Sequence, residues 1–387
     1  MKGIDLRSVS FDDAFVRVGI NGKKLQTMDY RDSGMYPVVD QSQALIAAFT
    51  DDEGLLQSPP SDGFIVFGDH TRTVKFINFR FVVGADGVQL LRSREGFDAR
   101  YLAHCLRMSD IPNTGYNRHF KFLKDLSFNC PLLPEQRAIA EALSDADALV
   151  ESLDALIAKK RDMKHAAMQQ LLTGRTRLPG FSGEWQELRI GDVGRCLRGV
   201  SYNPQRDLSD RDTETTVRLL RSNNVQQSLL SFDDVQFVEE VRVSEEQILI
   251  PGDVVVCMAN GSRALVGKSG LFRGNDEVRH TFGAFMGCFR TDAAKAAPGF
   301  VRFLFLTKRY LDYISNLLAG SAINNLAPSS IESLRFDMPP LAEQQAIAEI
   351  LSDMDSEIDA LVARREKAEL VKQGMMQELL SGRVRLV

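Results

Sequence analysis

The feature that most constrains this chain is that it carries one segment twice. The stretch from Leu133, LPEQRAIAEALSDADALVESLDALIAKKRDMKHAAMQQLLTGRTRL, returns from Leu341 as LAEQQAIAEILSDMDSEIDALVARREKAELVKQGMMQELLSGRVRL. The shift from 133 to 341 is 208 residues without a gap, and about half the positions are identical. Upstream, Leu126 and Phe128 answer to Leu334 and Phe336. Solenoid repeats have periods of roughly 20–50 residues, so this is a single duplication. Any fold must place two copies of a helical segment, each preceded by a longer and more variable one.

The helical segment has a readable grammar. Pro134 or Pro340 stands beside a Glu-Gln pair (Glu135-Gln136, Glu343-Gln344) and opens a helix with apolar spacing at Ile139, Ala140 and Leu143. Ser144 and Asp147, echoed by Ser352 and Asp355, have capping-box spacing and predict the start of a second, longer helix. That helix ends near Leu171-Leu172, or Leu379-Leu380, before Thr173-Gly174 and Ser381-Gly382. Its apolar stripe reads Ala146, Val150, Leu153, Ile157, and then, after a break, Met163, Ala167 and Leu171; the copy reads Met354, Ile358, Leu361, and then Ala368, Val371, Met375 and Leu379. Steps of three and four make a coiled-coil seam, and about thirty residues make a rod of roughly 45 Å. A core helix of its own domain is the commoner reading for one amphipathic stretch. Two stretches sharing seam and terminator favour a long paired rod.

The boundaries expected are 1–130 and 179–338 for the variable segments, and 131–178 and 339–387 for the helical ones, with Leu178-Pro179-Gly180 between the halves. Both variable segments read as mixed α/β. Strands are expected at 36–41, 63–69, 73–84 and 88–91 with a helix at 98–108, then at 216–222, 253–258, 264–272 and 281–290 with a helix at 298–318. No run approaches the ~18 apolar residues of a membrane span, and MKGIDLRSVSFDD lacks the apolar core of a secretory signal. Five scattered cysteines (Cys105, Cys130, Cys196, Cys257, Cys288) without a CxxC pair read as reduced, buried thiols of a cytoplasmic protein.

No catalytic constellation emerges. Gly261 to Ser269, GSRALVGKS, resembles a phosphate-binding loop but has five residues between its glycines where four are required, and GLFRGNDE after it is no helix. A turn between strands is the better reading. Tyr202-Asn203-Pro204-Gln205 lacks the second proline and the aromatic of an amino-methyltransferase motif, and no glycine-rich loop suits S-adenosylmethionine. The histidines His70, His104, His119, His165 and His280 are isolated from one another and from ligand spacing. The chain is expected not to be an enzyme.

Charge is organised instead. From His70 to Lys124 there are ten Lys or Arg against four acids. His70, Arg72 and Lys75 follow one turn; Tyr116, Asn117, Arg118, His119 and Lys121 form a second cluster. In the other half Arg218, Arg221, Ser222, Asn223, Asn224 and Gln226 end a strand, Arg198, Tyr202, Asn203 and Gln205 occupy a loop, and Arg263 and Lys268 flank another. Arg and Lys read guanine edges or neutralise phosphates, and Asn and Gln read adenine. For one such residue a solvated side chain is the ordinary explanation; the clusters together favour DNA contact. A net charge of −5 and a pI near 5.7 argue the other way on their face. Yet it is local basic surface that meets DNA, and an acidic remainder limits indiscriminate binding.

The openings CPLLPEQRAIA and MPPLAEQQAIA, the endings MQQLLTGR and MQELLSGR, and two variable segments between them resemble the specificity subunit of a type I restriction–modification system over essentially the whole chain. YPVVDQS, FGDHTRTVKF, GYNRHFKFLKDLSF, EWQELRIGDV and GSRALVGKSG are smaller echoes. One departure is that the second variable segment opens with Trp185 and a strand, whereas the first begins without that opening. The resemblance implies an α+β fold: two mixed α/β target recognition domains, each reading half of a split DNA sequence, joined by two long helices that pair as an antiparallel coiled coil with pseudo-two-fold symmetry. It implies as partners double-stranded DNA, two modification (methyltransferase) subunits and restriction (endonuclease/translocase) subunits, and no membrane. No cofactor is expected in this chain, with S-adenosylmethionine, ATP and magnesium in the partner subunits. Glu135, Gln136, Leu171, Leu172, Glu343, Gln344, Leu379 and Leu380 become candidate docking residues, and Val150, Leu153, Ile157, Ile358 and Leu361 the spacer seam. Lys159, Lys164, Lys367 and Lys372 are either solvated or salt-bridged lysines or phosphate contacts between the half-sites. A coiled-coil scaffold that reads no DNA, and a self-sufficient methyltransferase, are the alternatives.

Overall fold

The computed structural model describes residues 6–226, 228–274, 278–320 and 324–386. The Asn275–Glu277 end of the GLFRGNDE stretch and the first five residues of the N-terminal sequence lie outside them. The chain forms two compact units, Met1–Ala155 with Leu361–Val387, and Leu156–Ala360.

In the first unit, Arg7–Ser10 pairs antiparallel with Ser127–Cys130. One antiparallel sheet runs in the order Phe15–Val18, Val88–Ser93, Phe64–Gly68, Val74–Ile77. A second runs Ala48–Thr50, Tyr36–Val39, Phe81–Val83, Leu56–Gln57, and its central pair is parallel. The second unit repeats the plan. Gln186–Arg189 pairs with Arg335–Met338; Gly194–Arg198, Met286–Thr291, Val254–Cys257 and Ser269–Leu271 form the antiparallel sheet. Thr216–Leu220 and His280–Phe282 supply the parallel pair. Strands buried on both faces, such as Phe64–Gly68 and Val254–Cys257, read as unbroken apolar runs because both faces are covered.

The opening strand is therefore present in both halves, and the apparent departure at the N-terminus is corrected. Gly174 and Gly382 end the long helices at φ +67° and +75°, and each is covered by the residue just before its unit's opening strand: Trp185 over Gly174, Leu6 over Gly382. Place is kept while residue type is not.

Each helical segment is one unbroken helix, Leu133–Leu171 and Leu341–Leu380, of 39 and 40 residues. At ~1.5 Å per residue each is roughly 60 Å long. The expected second start at Ser144 and Ser352 does not occur. Both hydroxyls bond back to the carbonyls four residues earlier, Ala140 and Ala348, at 2.7 and 2.6 Å, which a helix interior allows. Asp147 and Asp355 serve the other helix instead.

Within the first unit the two helices run antiparallel. Asp147 Oδ1 lies 2.8 Å from Lys372 Nζ and, seven residues on, Asp154 meets Arg365, seven residues back, at 3.0 Å. Val150 and Leu153 are buried between these pairs. Within the second unit Lys164 pairs with Asp355, Lys160 with Glu357 at 2.6 Å, and Ile157 and Ile358 are buried. The seam departs from expectation at Met163 and Val371, which are exposed. A helix with 3.6 residues per turn drifts off a 3.5-residue stripe by ~20° per heptad, so Met168 and Leu171 take over the buried side.

These helices also complete the two main cores. Ile139, Ala140, Leu143, Met376 and Leu379 pack with Phe15, Phe67, Tyr101 and Leu102 in the first unit. Ile347, Leu351, Met168 and Leu171 pack with Phe289, Phe300, Phe303 and Tyr310 in the second. The helix expected at 298–318 is two, Pro298–Leu304 and Lys308–Ala319, because Thr307 caps a new start through Tyr310 N.

Candidate nucleic-acid interface

In the first unit, the turn Gly68–Thr73 between two buried strands is locked to the segment Ile111–His119. His119 is fully buried: its backbone N and its Nδ1 lie 2.8 Å from Asp69 O, and its Nε2 accepts from Thr114 N. Phe120 N donates to Asp69 Oδ1 at 2.7 Å. Arg72, held at φ +62°, donates from Nη1 to Ile111 O at 2.9 Å. Lys75 is buried, and its ammonium donates to the carbonyls of Asp40 and Ala44. Burial pulls its pKa below the ordinary lysine value against the opposing pull of Asp40.

Lys75, His119 and Arg72, all expected to contact DNA, instead bond backbone atoms of their own unit and hold its loops. The reason is common to the three: a loop whose carbonyls point inward needs internal donors. What they hold outward is the Gln41–Leu45 loop and a stacked pair. His70 lies face to face with Tyr116, centroids 4.5 Å apart, and Tyr116 is 85% exposed. Gln41 Oε1 accepts from His70 N and Gln41 O from Thr71 Oγ1. Arg118 is exposed on the same segment, and Lys121 is exposed on the short helix that follows.

The second unit brings five segments together. Val200 N bonds Phe282 O, tying the Arg198–Gln205 loop to the central strands. Asn260 Nδ2 donates to Ser222 Oγ at 3.0 Å, and Asn324 Nδ2 to Gly261 O at 3.3 Å. Asn324 Oδ1 stands 3.5 Å from Arg263 Nε. Asp234 gathers Arg221 Nη2 at 3.1 Å and Asn223 Nδ2 at 2.7 Å on one carboxylate oxygen. Arg198, Gln205, Asn223, Arg263 and Lys268 are exposed, while Tyr202 and Arg221 are half-buried.

Asn224 is buried and clamps its own hairpin through Ser231 O and Asp234 O, so it too is framework. Asn203 Oδ1 accepts from Gln205 N and shapes the loop, although its side chain is exposed. Beneath it Asp207 is pushed down to about 2, first by its hydrogen bond from Arg206 and then by Asn203 N.

Residue-type reasoning missed Gln41, Asp234, Asn260 and Asn324, which shape these clusters. Asn260-Gly261 directly follows the apolar strand and was visible as a turn; Asp234 carries the wrong charge sign to be sought. Among the described residues no group of three or more His, Cys, Asp or Glu could hold a metal ion. The thiols of Cys130 and Cys257 are raised to about 11 and that of Cys196 to about 12, in each case first by burial. What the clusters offer is hydrogen-bond donors, acceptors and rings on fixed loops.

On the long helices, Glu135, Gln136, Glu343 and Gln344 are buried and satisfied within the chain, which removes them as docking surface. Gln136 Nε2 donates to Pro131 O and its oxygen accepts from Asp98 N; Gln344 does the same with Pro339 O and Ala297 N. Val150, Leu153, Ile157, Leu171, Leu172, Ile358 and Leu379 are buried, and Leu361 and Leu380 half-buried. Lys164 and Lys372 are salt-bridged between the helices; Lys159 and Lys367 are exposed.

Comparison with known proteins agrees with this architecture. The family model of the type I restriction modification DNA specificity domain matches residues 182–371. The EcoKI specificity subunit of Escherichia coli K12 is 32% identical over 200 residues, 52% of this chain and 42% of that protein. The MjaVIII specificity subunit of Methanocaldococcus jannaschii is 22% identical across 96% of this chain and 92% of its own length. The match to the first of these spans less than half of the relative. A crystal structure of the type I restriction–modification S subunit from M. genitalium superposes with a TM-score of 0.69 at 14% identity, covering 98% of this chain and 97% of the other, a likeness of fold. No helix of the described residues is long and apolar enough to cross a membrane. With the duplication and the long helices repeated in two matching units, residues 182–371 carry a type I restriction modification DNA specificity domain, and the chain as a whole is similar to type I specificity subunits.

Proposed function

We propose that the chain is the DNA-reading subunit of a type I restriction–modification complex, each unit reading one half of a bipartite duplex target. The observation that carries this is that both units build a polar loop cluster at the same place in the same topology, with different side chains. In the first it is His70, Tyr116 and Gln41; in the second, Arg221, Asn223, Asn260 and Arg263. A shared frame with exchanged tips is what two readers of two sequences require.

The long helices would fix the gap between half-sites and hold two modification subunits, with restriction subunits joining that core. Exposed apolar residues on the helices, Leu149, Leu370 and Val371 in the first unit and Leu156 and Met163 in the second, are the candidate docking positions in place of the buried Glu-Gln pairs. S-adenosylmethionine, ATP and magnesium would be supplied by those partners, and this chain would contribute no catalytic group.

The test is to express the chain with its modification partner and map methylated adenines. Two short sequences separated by a constant gap are expected. Exchanging residues 1–130 for another recognition domain should change one half only. A change in both halves, or methyl transfer by the isolated chain, would overturn the reading; binding that shows no dependence on salt or sequence would leave a scaffold.

A further inference from the structure

The turn between His280–Phe282 and Met286–Thr291 presents an aromatic ring that the fold of the second unit leaves uncovered. Phe285 is 71% exposed, yet its backbone is fixed. Its carbonyl accepts from Met258 N at 2.9 Å and Ala259 N at 3.0 Å, Gly283 N donates to Leu220 O at 2.9 Å, and Met286 N to Gly283 O at 2.8 Å. The flanking Phe282 and Met286 are buried. The same hydrogen bonds place the ring among the candidate reading loops: Ala259 leads into Asn260 and Arg263, and Leu220 into Arg221 and Asn223. A phenyl group held outward by a rigid turn, whose backbone is bonded to loops that carry amide and guanidinium side chains, suits a flat partner that is apolar on its face and polar at its edge.

The first unit supplies the comparison. Its corresponding turn, Gly84–Gly87, joins Phe81–Val83 to Val88–Ser93, and Gly84 bridges Leu25 as Gly283 bridges Val200. There the exposed tip is Asp86. The frame is kept, and the tip changes from carboxylate to phenyl. A carboxylate accepts from a cytosine amine, whereas a phenyl ring takes a thymine methyl or a base face.

We infer that Phe285 is a specificity-determining residue whose ring packs on the apolar surface of a nucleobase in the half-site read by the second unit. This rests on the DNA-reading function proposed above.

The test uses the full chain assembled with its modification subunits, as wild type, Phe285→Ala and Phe285→Leu. Binding is measured to the target duplex and to every single-base variant of both halves. Phe285→Ala is expected to weaken target binding about tenfold or more and to flatten preference at one base pair of one half, Phe285→Leu being intermediate. Non-specific binding and the urea midpoint should not move. Replacing thymine by uracil at that position reproduces the loss if the ring meets the methyl group. If it stacks, 2-aminopurine there is quenched by wild type and not by Phe285→Ala. Unchanged affinity and preference in Phe285→Ala overturns the inference, as does a loss that appears only as failure to assemble with the modification subunits. Absence of any sequence preference in the wild type overturns the DNA-reading function itself, and is read before the variants are.

Discussion

Arg177 closes on Glu343 through both arms of its guanidinium, Nε to Oε1 and Nη2 to Oε2, each at 2.6 Å. Arg385 does the same to Glu135. Both residues of one pair are the duplicates of those in the other, with roles exchanged between copies: the arginine after the first long helix takes the glutamate that opens the second, and the reverse. The reciprocity follows from the duplication: each unit is closed by the glutamate of one copy and the arginine of the other. Each pair closes one end of the helix pairing within its own unit.

The carboxylate of Glu343 is fully buried, so its removal leaves a cationic fork facing a closed site. Glu343→Gln should destabilise the protein by about 3 kcal/mol, the lower end for breaking one partner of a buried pair. Urea unfolding measures this. The double variant Arg177→Met with Glu343→Leu should lose less than the two single losses added together, because neither polar group is then stranded.

The second layer of reciprocal pairs differs in burial between units, which makes the two copies unequal. Asp355 joins Lys164 and Arg302, whose side chains are 17% and 10% exposed; Asp147 joins Lys372 and Arg107, at 20% and 32%. Arg302 also lies 4.0 Å from the ring of Phe303, and burial lowers its pKa. Asp355→Ala should therefore cost roughly 1–2 kcal/mol more than Asp147→Ala in the same denaturation experiment. Equal losses would show that burial of the cations is not what sets the cost.

Acid should lower the stability of the protein in two pH windows of different origin. His104 is buried and its pKa is lowered to about 4, first by burial, then by Arg107, with Asp147 opposing. The unfolded chain takes up this proton near 6.5 and the folded chain does not. Stability from His104 is thus full above about pH 6.5 and is lost as pH falls toward 4. Glu135 is lowered, first by its hydrogen bond from Arg385, so its contribution holds above the ordinary glutamate value and is lost only as pH falls through its lower folded value. Urea midpoints measured from pH 7 to 3 should fall in both windows. His104→Leu should flatten the upper window and Glu135→Gln the lower.

Much of this architecture was legible because the duplication tests itself: the same stripe, terminator and glycine recur at a fixed shift. What stayed hidden has physical causes. Glu135 and Glu343 look like surface charges because their arginines lie far away in sequence, 250 and 166 residues. Ser144 carries a genuine local cap signal that core packing of a continuous helix overrides. Leu6 performs the packing of Trp185 without resembling it. In the loop clusters, charge picked out turns but could not separate the side chains that bond inward, such as Lys75, from those left exposed, such as Arg118. Val74-Lys75-Phe76-Ile77 is covered on both faces, so no alternation shows which way Lys75 turns.

Lys75 can be tested on that point, because a framework lysine and a phosphate-binding lysine fail differently. Its ammonium bonds the carbonyls of Asp40 and Ala44 at either end of the Gln41–Leu45 loop, and Gln41 in turn orients His70. Lys75→Met keeps the stem and removes the donors, so the loop loses its anchor. Binding to the target should weaken roughly tenfold with loss of preference in the half-site of the first unit, while the slope of log affinity against log salt stays as in wild type. A phosphate contact would instead weaken all sequences alike and lower that slope by about one. Arg118, exposed on the neighbouring segment, is the matching control: Arg118→Ala should show the slope change that Lys75→Met does not.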